Sequence, residues 1–358
     1  MTAATAQLAE RVAALAADWL PALADATLKG TLLLAVAGAV TTWGMRRAAA
    51  ATRHLVWSAA VVAVLALPLL GRVVPAWRAE VVPPALTRAA AALRDPAPAV
   101  PPAAAPVAPP TPAVSELAAS ELAASDLAVS DLAVPDLAVS DVAPPTTPPW
   151  LLVAFAVWAA GVLVVLLRLA LGTFGLARLV RRARPADDPA WVMPLQRLAR
   201  DLGIRRPVSL YVARTGTVPV TWGVVYPVVL LPADAAEWSE ERRRAVLLHE
   251  LAHVERLDAL TQVLAQLATA LFWFNPLVVL AGRRLRAERE RACDDLVLAA
   301  GGVPAAAYAD DLLDLVRTLG EASHAGPAPT PARRSEFEGR LLAILDPAAP
   351  RTRTDRRR

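Results

Sequence analysis

The sequence predicts a mainly α, polytopic membrane protein in which three N-terminal transmembrane helices precede a cytoplasmic α+β domain. Composition is the first indication, because 56% of the 358 residues are hydrophobic and the mean hydropathy is +0.42, above the usual range of soluble domains. The second is the presence of long apolar runs in the first half of the chain. The third is a second half that combines strand-like runs with arginine- and glutamate-rich helical segments.

Three apolar runs are each long enough to cross a hydrocarbon core, which takes about 20 helical residues. They are Ala26–Met45, Leu55–Val74 and Trp150–Leu171. Arginines follow the first and third runs, whereas residues 96–149 contain no Lys or Arg and six acids. The positive-inside rule therefore predicts that the N-terminus and the 75–149 loop lie outside, and that everything after Arg178 is cytoplasmic.

These runs divide the chain into five predicted regions. The first two are an N-terminal segment with two transmembrane helices (1–74) and an external Pro/Ala-rich loop (75–149). They are followed by the third transmembrane helix (150–172), a cytoplasmic domain (185–320) and a C-terminal helix with a basic tail (321–358). Within the external loop, five-residue units of the type SELAA and SDLAV recur from Ser115. Six units are too few to bury the face of a pentapeptide-repeat coil, so we favour a disordered spacer.

The cytoplasmic region contains the motif His249-Glu250-Leu251-Ala252-His253, which uses two of the four histidines of the chain. Residues four apart share a helix face, so His249 and His253 can present two imidazoles to one metal ion. Glu250 stands beside the first ligand, where its carboxylate can accept a proton from an activated water. A pair of ordinary surface or core histidines is the alternative. Cys293 is the only cysteine, which excludes an intramolecular disulfide and a cysteine-based zinc cluster.

Two histidines leave zinc short of a third protein ligand. The segment after Asn275 and Pro276, an N-cap and first helical residue, offers Glu288 and Glu290 with nearly even odds between them. Asp294 lies four residues beyond Glu290 and could support the site from the same face, as could Asp258. The alternative is that the alternating Arg and Glu residues form a solvated, salt-bridged face.

The apolar segment Ala259–Phe274 resembles a fourth span, but parity argues against a crossing. If it crossed, Glu290 would lie on the opposite side of the membrane from the two histidines. We expect a helix that packs in the cytoplasmic domain or lies against the bilayer, with a dip into the membrane and a return left open.

Other elements follow from local signals. Residues 190–202 and 304–319 read as helices, and Val208–Ala213 and Val228–Leu231 read as strands. Ser239 is the expected N-cap of the motif helix. Ser335 and Glu338 form a capping box that predicts a last short helix over Glu336–Leu345.

Four collinear blocks in the second half resemble the BlaR/MecR-type integral-membrane zinc peptidases. They are PVTWGVVYPVVLLP (219–232), HELAHVERLD (249–258), FWFNPLVVLAGRRLRAERERACDDLVL (272–298) and EFEGRLLAILDP (336–347). The resemblance implies a cytoplasmic, zincin-like gluzincin domain. In it His249, His253 and Glu290 would be metal ligands for Zn²⁺, Glu250 the general base, and Asp294 an outer-shell residue.

Members of that family typically cleave themselves or a cytoplasmic transcriptional repressor when an outer signal arrives. The antibiotic-sensing members carry a further span and an external penicillin-binding domain after the peptidase. Neither is seen before Arg358, nor is an acylated-serine motif, so we do not carry β-lactam sensing over to this chain.

The sequence therefore predicts a membrane-embedded zinc endopeptidase of signal-responsive regulation in the inner (cytoplasmic) membrane. The alternative is a non-proteolytic transducer or scaffold with a structural zinc site, against which the intact Glu250 argues. The expected partners are the lipid bilayer and a cytoplasmic protein substrate such as a repressor, with a homodimer left open. Direct nucleic-acid binding is not expected, because Glu288 and Glu290 interrupt the arginine-rich helix.

Overall fold

The computed structural model describes residues 3–73, 149–214, 217–322 and 331–351. These residues belong to one compact unit, which is mainly helical with a small sheet, as predicted. The external loop up to residue 148, its five-residue repeat and the basic tail after residue 351 lie outside the described residues.

Three helices are long and apolar enough to cross a membrane. They are α1 (Ala3–Ala39, continued by a π-helical turn over Val40–Gly44), α2 (Ala50–Val73) and α3 (Pro149–Arg182). The predicted number of spans is confirmed, but α1 and α3 are longer than the apolar runs. Helix α3 continues 11 residues past Leu171 to Arg182, because arginine is a good helix former and no proline interrupts this part of the chain.

The sheet contains four short strands in the order β1-β2-β4-β3. They are β1 (Arg184–Pro185), β2 (Ser209–Val212), β3 (Val220–Trp222) and β4 (Val228–Leu231). The predicted runs form β2 and β4, which pair in parallel, while β1 and β3 pair antiparallel at the two edges. Gly223 has a φ of 96°, and a Cβ at this position would overlap the carbonyl of Tyr226. Only glycine fits the turn that returns β3 to β4.

Six helices accompany the sheet. They are α4 (Pro189–Asp201), α5 (Glu240–Glu255), α6 (Asp258–Leu271), α7 (Pro276–Ala299), α8 (Ala305–Ala322) and α9 (Pro331–Leu345). A 3₁₀ turn over Ala233–Glu237 leads into α5. The predicted N-caps are confirmed: the side chain of Ser239 accepts from Arg242 N, and that of Asn275 accepts from Leu277 N. The predicted start of α9 is wrong, because the helix begins at Pro331, and proline suits a first helical turn.

Helix α5 is packed against the sheet by a continuous apolar core. Leu247 and Leu251 of α5 belong to the same buried cluster as Val229 and Leu231 of β4, and all four are fully buried. Helices α4, α7, α8 and α9 complete this core. One face of α5 is thus fixed to the sheet, which gives the motif residues a rigid support.

Helices α6 and α7 form a hairpin that enters the space between α1, α2 and α3. Phe272, at the end of α6, is buried among apolar residues of α1 and α2. At the tip, Asn275 Nδ2 donates to Thr31 Oγ1 of α1 at 2.8 Å, and Trp273 Nε1 donates to Trp158 O of α3 at 3.2 Å. The hairpin tip therefore lies beside residues that are well inside two candidate spans.

Packing at the hairpin tip depends on one glycine of α3. A Cβ added at Gly161 would overlap the indole ring of Trp273, whereas one added at Gly175 of the same helix meets nothing within 4 Å. We expect Gly161→Ala to lower the thermal unfolding temperature of the detergent-solubilised protein, because overpacking costs about 1–3 kcal/mol. Gly175→Ala is the matched control and leaves the unfolding temperature unchanged or slightly raised. Equal unfolding temperatures for Gly161→Ala and wild type, measured by circular dichroism, would contradict this packing.

Candidate metal centre

The two motif histidines project from one face of α5. Their ring centroids lie 4.9 Å apart and the ring planes meet at 85°, which is the consequence of their i, i+4 spacing. His249 and Glu250 are both buried, and the α5 residues between the two histidines are buried as well. The pair therefore lies at the inner end of a cavity and not on a solvated helix face.

Glu290 of α7 completes a group of three donor atoms. Its Oε2 lies 3.6 Å from His249 Nε2 and 4.0 Å from His253 Nε2, and all three atoms lie within 4.8 Å of one another. Glu288 points elsewhere, because its carboxylate pairs with Arg53 of α2 at 2.8 Å and with Arg291 at 3.3 Å. The geometry thus favours Glu290 over Glu288, which the spacing alone had left open.

Each histidine has a carboxylate on its other ring nitrogen. His249 Nδ1 lies 3.2 Å from Asp294 Oδ1, and His253 Nδ1 lies 2.8 Å from Asp258 Oδ2. In the neutral form of each ring, an Nδ1–H that donates to the carboxylate leaves Nε2 as an acceptor on the side of Glu290. Both predicted supporting acids, Asp294 and Asp258, therefore lie where they can fix the tautomer and the orientation of a ring.

A left-handed residue brings Asp258 back to His253. Leu257, between α5 and α6, has φ 59° and ψ 35°, a conformation that costs about 1–2 kcal/mol for a residue with a side chain. This turn ends α5 directly after the motif and starts α6 at Asp258, which is 1% exposed. The strained position is thus placed where it supports the site.

Arg340 of α9 reaches the centre from the C-terminal end of the described chain. Its Nε and Nη2 donate to the two oxygens of Asp294 at 2.6 and 2.8 Å, and its Nη1 lies 3.4 Å from Glu290 Oε2. Tyr308 of α8 donates its hydroxyl hydrogen to Asp294 Oδ1 at 2.8 Å. Both oxygens of Asp294 are therefore paired. Asp294 is 2% exposed, and a carboxylate that is buried in this way needs such partners.

The pairing shifts the pKa values of the buried groups. Burial alone lowers the pKa of His249, but its hydrogen bonds with Asp294 and Glu290 raise it to about 9. Burial raises the pKa of Asp294, and the charge and hydrogen bonds of Arg340 outweigh this and lower it to about 2. For Glu290, burial is likewise outweighed by His249 and by the charges around it, so its pKa lies well below the usual range. The acids are therefore ionised at neutral pH.

Glu250 is held by the edge strand. The hydroxyl of Thr221, the middle residue of β3, donates to Glu250 Oε2 at 2.7 Å and lies 3.1 Å from the Glu250 carbonyl oxygen. A cavity of about 1070 Å³ joins Thr221 and Glu250 to the two histidines, Glu290 and Arg340. Its far wall is formed by α3 and α6, so it extends from the donor atoms along a candidate membrane helix.

Cys293 belongs to the outer layer of the same centre. Its sulfur lies 3.3 Å from His253 Nδ1 and 3.7 Å from Asp258 Oδ2. Burial and the neighbouring acids raise the pKa of the thiol well above its usual value, so it remains protonated. The protonated thiol can donate weakly to Asp258.

The three donor atoms fit a small divalent cation. Ligand bonds of about 2.0–2.2 Å in tetrahedral geometry separate ligand atoms by about 3.3–3.6 Å. The distances from Glu290 Oε2 to the two Nε2 atoms, 3.6 and 4.0 Å, are close to that spacing. Two imidazoles and one carboxylate leave a fourth position free, which is the donor set of catalytic zinc sites.

Several residues of the centre were not predicted from the sequence. They are Thr221, Tyr308, Arg340 and His54 of α2, which lies 3.8 Å from Asp258. Only Thr221 carried a local signal, because it is a single polar residue in an otherwise apolar segment and such a side chain needs a partner. Which partner it finds depends on tertiary packing.

The chain is similar to known proteins. The model of the family described as BlaR1 peptidase M56 matches residues 22–344. The chain is 30% identical over 144 residues to the regulatory protein BlaR1 of Bacillus licheniformis, a match that covers 40% of this chain and 24% of that protein. It is 30% identical over 81 residues to the methicillin resistance mecR1 proteins of Staphylococcus aureus and Staphylococcus epidermidis, covering 22% of this chain and 14% of each.

The matches span a quarter or less of the length of these relatives. The family model, in contrast, covers most of this chain, including α5, α6, α7 and most of the candidate spans. The chain has three candidate membrane spans and matches the family model over most of its length. It belongs to the BlaR1 peptidase M56 family.

Proposed function

We propose that the chain is a membrane-embedded zinc endopeptidase that cleaves a cytoplasmic protein, or itself, in signal-responsive regulation. The observation that carries the proposal is that ligand atoms of His249, His253 and Glu290 lie within 4.8 Å of one another. Glu250 lies on the same helix as the two histidines and lines the same cavity. In this HExxH gluzincin arrangement the three are the zinc ligands and Glu250 is the general base.

When bound, zinc supplies Lewis acidity that acidifies a water and polarises a peptide carbonyl. Glu250 accepts the proton of that water and later passes it to the leaving amine. The hydroxyl of Thr221 holds the Glu250 carboxylate at 2.7 Å, so the base is oriented before substrate arrives. Arg340 contributes a positive charge beside His249 and Glu290, where negative charge develops on the carbonyl oxygen.

The substrate is an extended peptide segment. Strand β3 forms one edge of the sheet, lines the cavity and carries Thr221. A peptide that adds to this edge by main-chain hydrogen bonds passes in front of Glu250 and the histidines. Zinc peptidases need this extended conformation because the attacked carbonyl must reach the metal ion without obstruction by a folded backbone.

The proposed topology puts the centre on the cytoplasmic side of the inner membrane, with the N-terminus and the 75–149 loop outside. The two basic ends of the candidate spans support this, because both approach the centre. Arg53 at the start of α2 pairs with Glu288 of α7, and Arg168 of α3, near the end of the apolar run Trp150–Leu171, lines the cavity. The positive-inside rule places such ends in the cytoplasm.

A transcriptional repressor is the substrate class we propose, by analogy with the regulatory protein BlaR1. The domain division proposed from the sequence, with the peptidase in residues 185–320, needs one extension. Arg340 lies in the 321–358 region and contacts Asp294 and Glu290, so α9 belongs functionally with the peptidase.

The general base can be tested by Glu250→Gln. This change keeps the size of the side chain and removes the proton acceptor, so we expect unchanged zinc content and cleavage reduced by about 10²–10⁴-fold. The measurement is hydrolysis of fluorescein-labelled casein by the full-length protein in detergent, together with zinc determination on the same samples. Equal hydrolysis by wild type and Glu250→Gln would contradict the proposal and favour a transducer with a structural zinc site.

The third ligand can be tested with two glutamates of α7. Glu290→Gln is expected to weaken zinc binding by more than the roughly 10–100-fold that loss of an outer-shell partner costs. Glu288→Gln is the matched control, because Glu288 faces Arg53 and not the histidines. It should retain wild-type zinc affinity in a chelator competition. Loss of zinc from Glu288→Gln with retention by Glu290→Gln would reverse the assignment.

Zinc affinity should rise with pH. In the metal-free protein His249 holds a proton below its pKa of about 9, and zinc binding must displace that proton. Between pH 6 and 8 the apparent affinity should therefore increase by about tenfold per pH unit from this group alone. Calorimetry in buffers of different ionisation enthalpy measures the released proton. Asp294→Asn removes a cause of the raised pKa and should reduce the release at pH 8, whereas equal release would contradict this origin.

A further inference from the structure

A carboxylate of the centre lies between two imidazoles, one of which comes from a membrane helix. His54 is in the second turn of α2 and is 5% exposed. Its Nε2 lies 3.8 Å from Asp258 Oδ1, while the other oxygen of Asp258 lies 2.8 Å from His253 Nδ1. From α2 inwards, the groups therefore follow one another in the order His54, Asp258 and His253, and His253 belongs to the candidate metal site.

The facing atoms of His54 and Asp258 both lack a hydrogen bond. Within the described residues, His54 Nε2 and Asp258 Oδ1 are buried polar side-chain atoms without a partner. Unpaired buried donors and acceptors are costly, and each of these two is the complement that the other needs. A displacement of under about 1 Å would bring the pair to the usual N–H···O distance of 2.7–3.2 Å.

We infer that His54 is a positioning residue for the metal ligand His253 and acts through Asp258, an inference that rests on the proposed function. His54 donates from Nε2 to Asp258 Oδ1 and thereby fixes the plane of that carboxylate. The fixed carboxylate holds the Nδ1–H of His253, and this sets the direction of the His253 Nε2 lone pair. His54 itself touches neither metal nor substrate.

The neighbouring residue joins the same helix to the other half of the centre. Arg53 donates from Nε to Glu288 Oε2 at 2.9 Å, two residues before the ligand Glu290 on α7. The start of α2 thus contacts α6 through His54 and α7 through Arg53, and α2 packs against both helices along its length. A rotation or shift of α2 in the membrane would change the orientation of a metal ligand without any change in the peptidase domain itself.

A role in helix packing alone is the competing explanation, because His54 is buried next to an apolar cluster that contains Trp57 and Val61. The two explanations differ in which group matters. Packing depends on the volume of the ring, whereas positioning depends on a donor at the Nε2 position. His54→Phe keeps most of the volume and removes the donor, and His54→Gln restores an amide N–H near that position.

The test compares His54→Phe, His54→Gln and Val61→Ala with wild type in the full-length, detergent-solubilised protein. Val61 is 3% exposed on the same helix, and its truncation loosens the packing without reaching Asp258. Zinc affinity by chelator competition, the visible absorption spectrum of the Co²⁺-substituted protein and the kcat and KM of casein hydrolysis are measured for each. The cobalt spectrum reports ligand geometry directly.

We expect His54→Phe to weaken zinc binding by about tenfold, the lower end of the range for outer-shell partners. It should also change the cobalt spectrum and lower kcat with KM unchanged. His54→Gln should recover most of each loss, and Val61→Ala should lower thermal stability with wild-type zinc affinity and cobalt spectrum.

Wild-type zinc affinity and cobalt spectrum in His54→Phe would overturn the inference and leave the proposed function intact. Equal losses in His54→Phe, His54→Gln and Val61→Ala would assign His54 to packing and also overturn it. If His54→Phe does not fold, His54→Leu takes its place as the variant without a donor: an altered cobalt spectrum in His54→Leu with a wild-type spectrum in His54→Gln supports the inference, and wild-type spectra in both overturn it. A wild-type protein without bound zinc would overturn the proposed function and this inference together.

Discussion

The buried pairing of acids with histidines and arginine is the constraint on which the rest of the structure depends. Asp258 and Asp294 are ionised although they are buried, where an unpaired charge would cost several kcal/mol, and Glu290 is partly buried beside them at the cavity wall. Each acid is therefore matched by a cation or a ring N–H from another element: α5 supplies the histidines and α9 supplies Arg340. No single helix can satisfy this set, so α5, α6, α7 and α9 are fixed relative to one another by the charges they share.

The same constraint explains why the metal centre cannot be separated from the membrane helices. Helix α6 begins at Asp258 beside His253, and α7 carries Glu290, while the tip between them contacts Thr31 of α1 and Trp158 of α3. A hairpin that starts and ends at the centre brings Glu290 back to the two histidines, which the parity argument requires of a shared site. The hairpin packs among the candidate spans. Of the three arrangements that the sequence left open, this one corresponds to the dip and return, and not to a helix within a soluble core or on the bilayer surface.

The sequence was most informative where one residue type at one spacing determines the geometry. Two histidines four apart on a helix must share a face, and apolar runs of about 20 residues are long enough to span a membrane, so both predictions needed no tertiary information. The choice between Glu288 and Glu290 needed tertiary information, because it depends on which side of α7 meets Arg53. Strand β3, with only three residues, and the contacts of Thr221, Tyr308 and Arg340 arise from packing between distant segments, which no local pattern encodes.

The arrangement also bears on how a membrane protein of this kind could be regulated without rebuilding its active site. Buried polar centres are rigid because every group has a defined partner, so small displacements are transmitted and not absorbed. In this chain His54 and Asp258 face each other at the boundary between a candidate membrane helix and the proposed ligands, and among the described residues their facing atoms have no hydrogen-bond partner. A displacement of α2 would therefore act on His253 through Asp258.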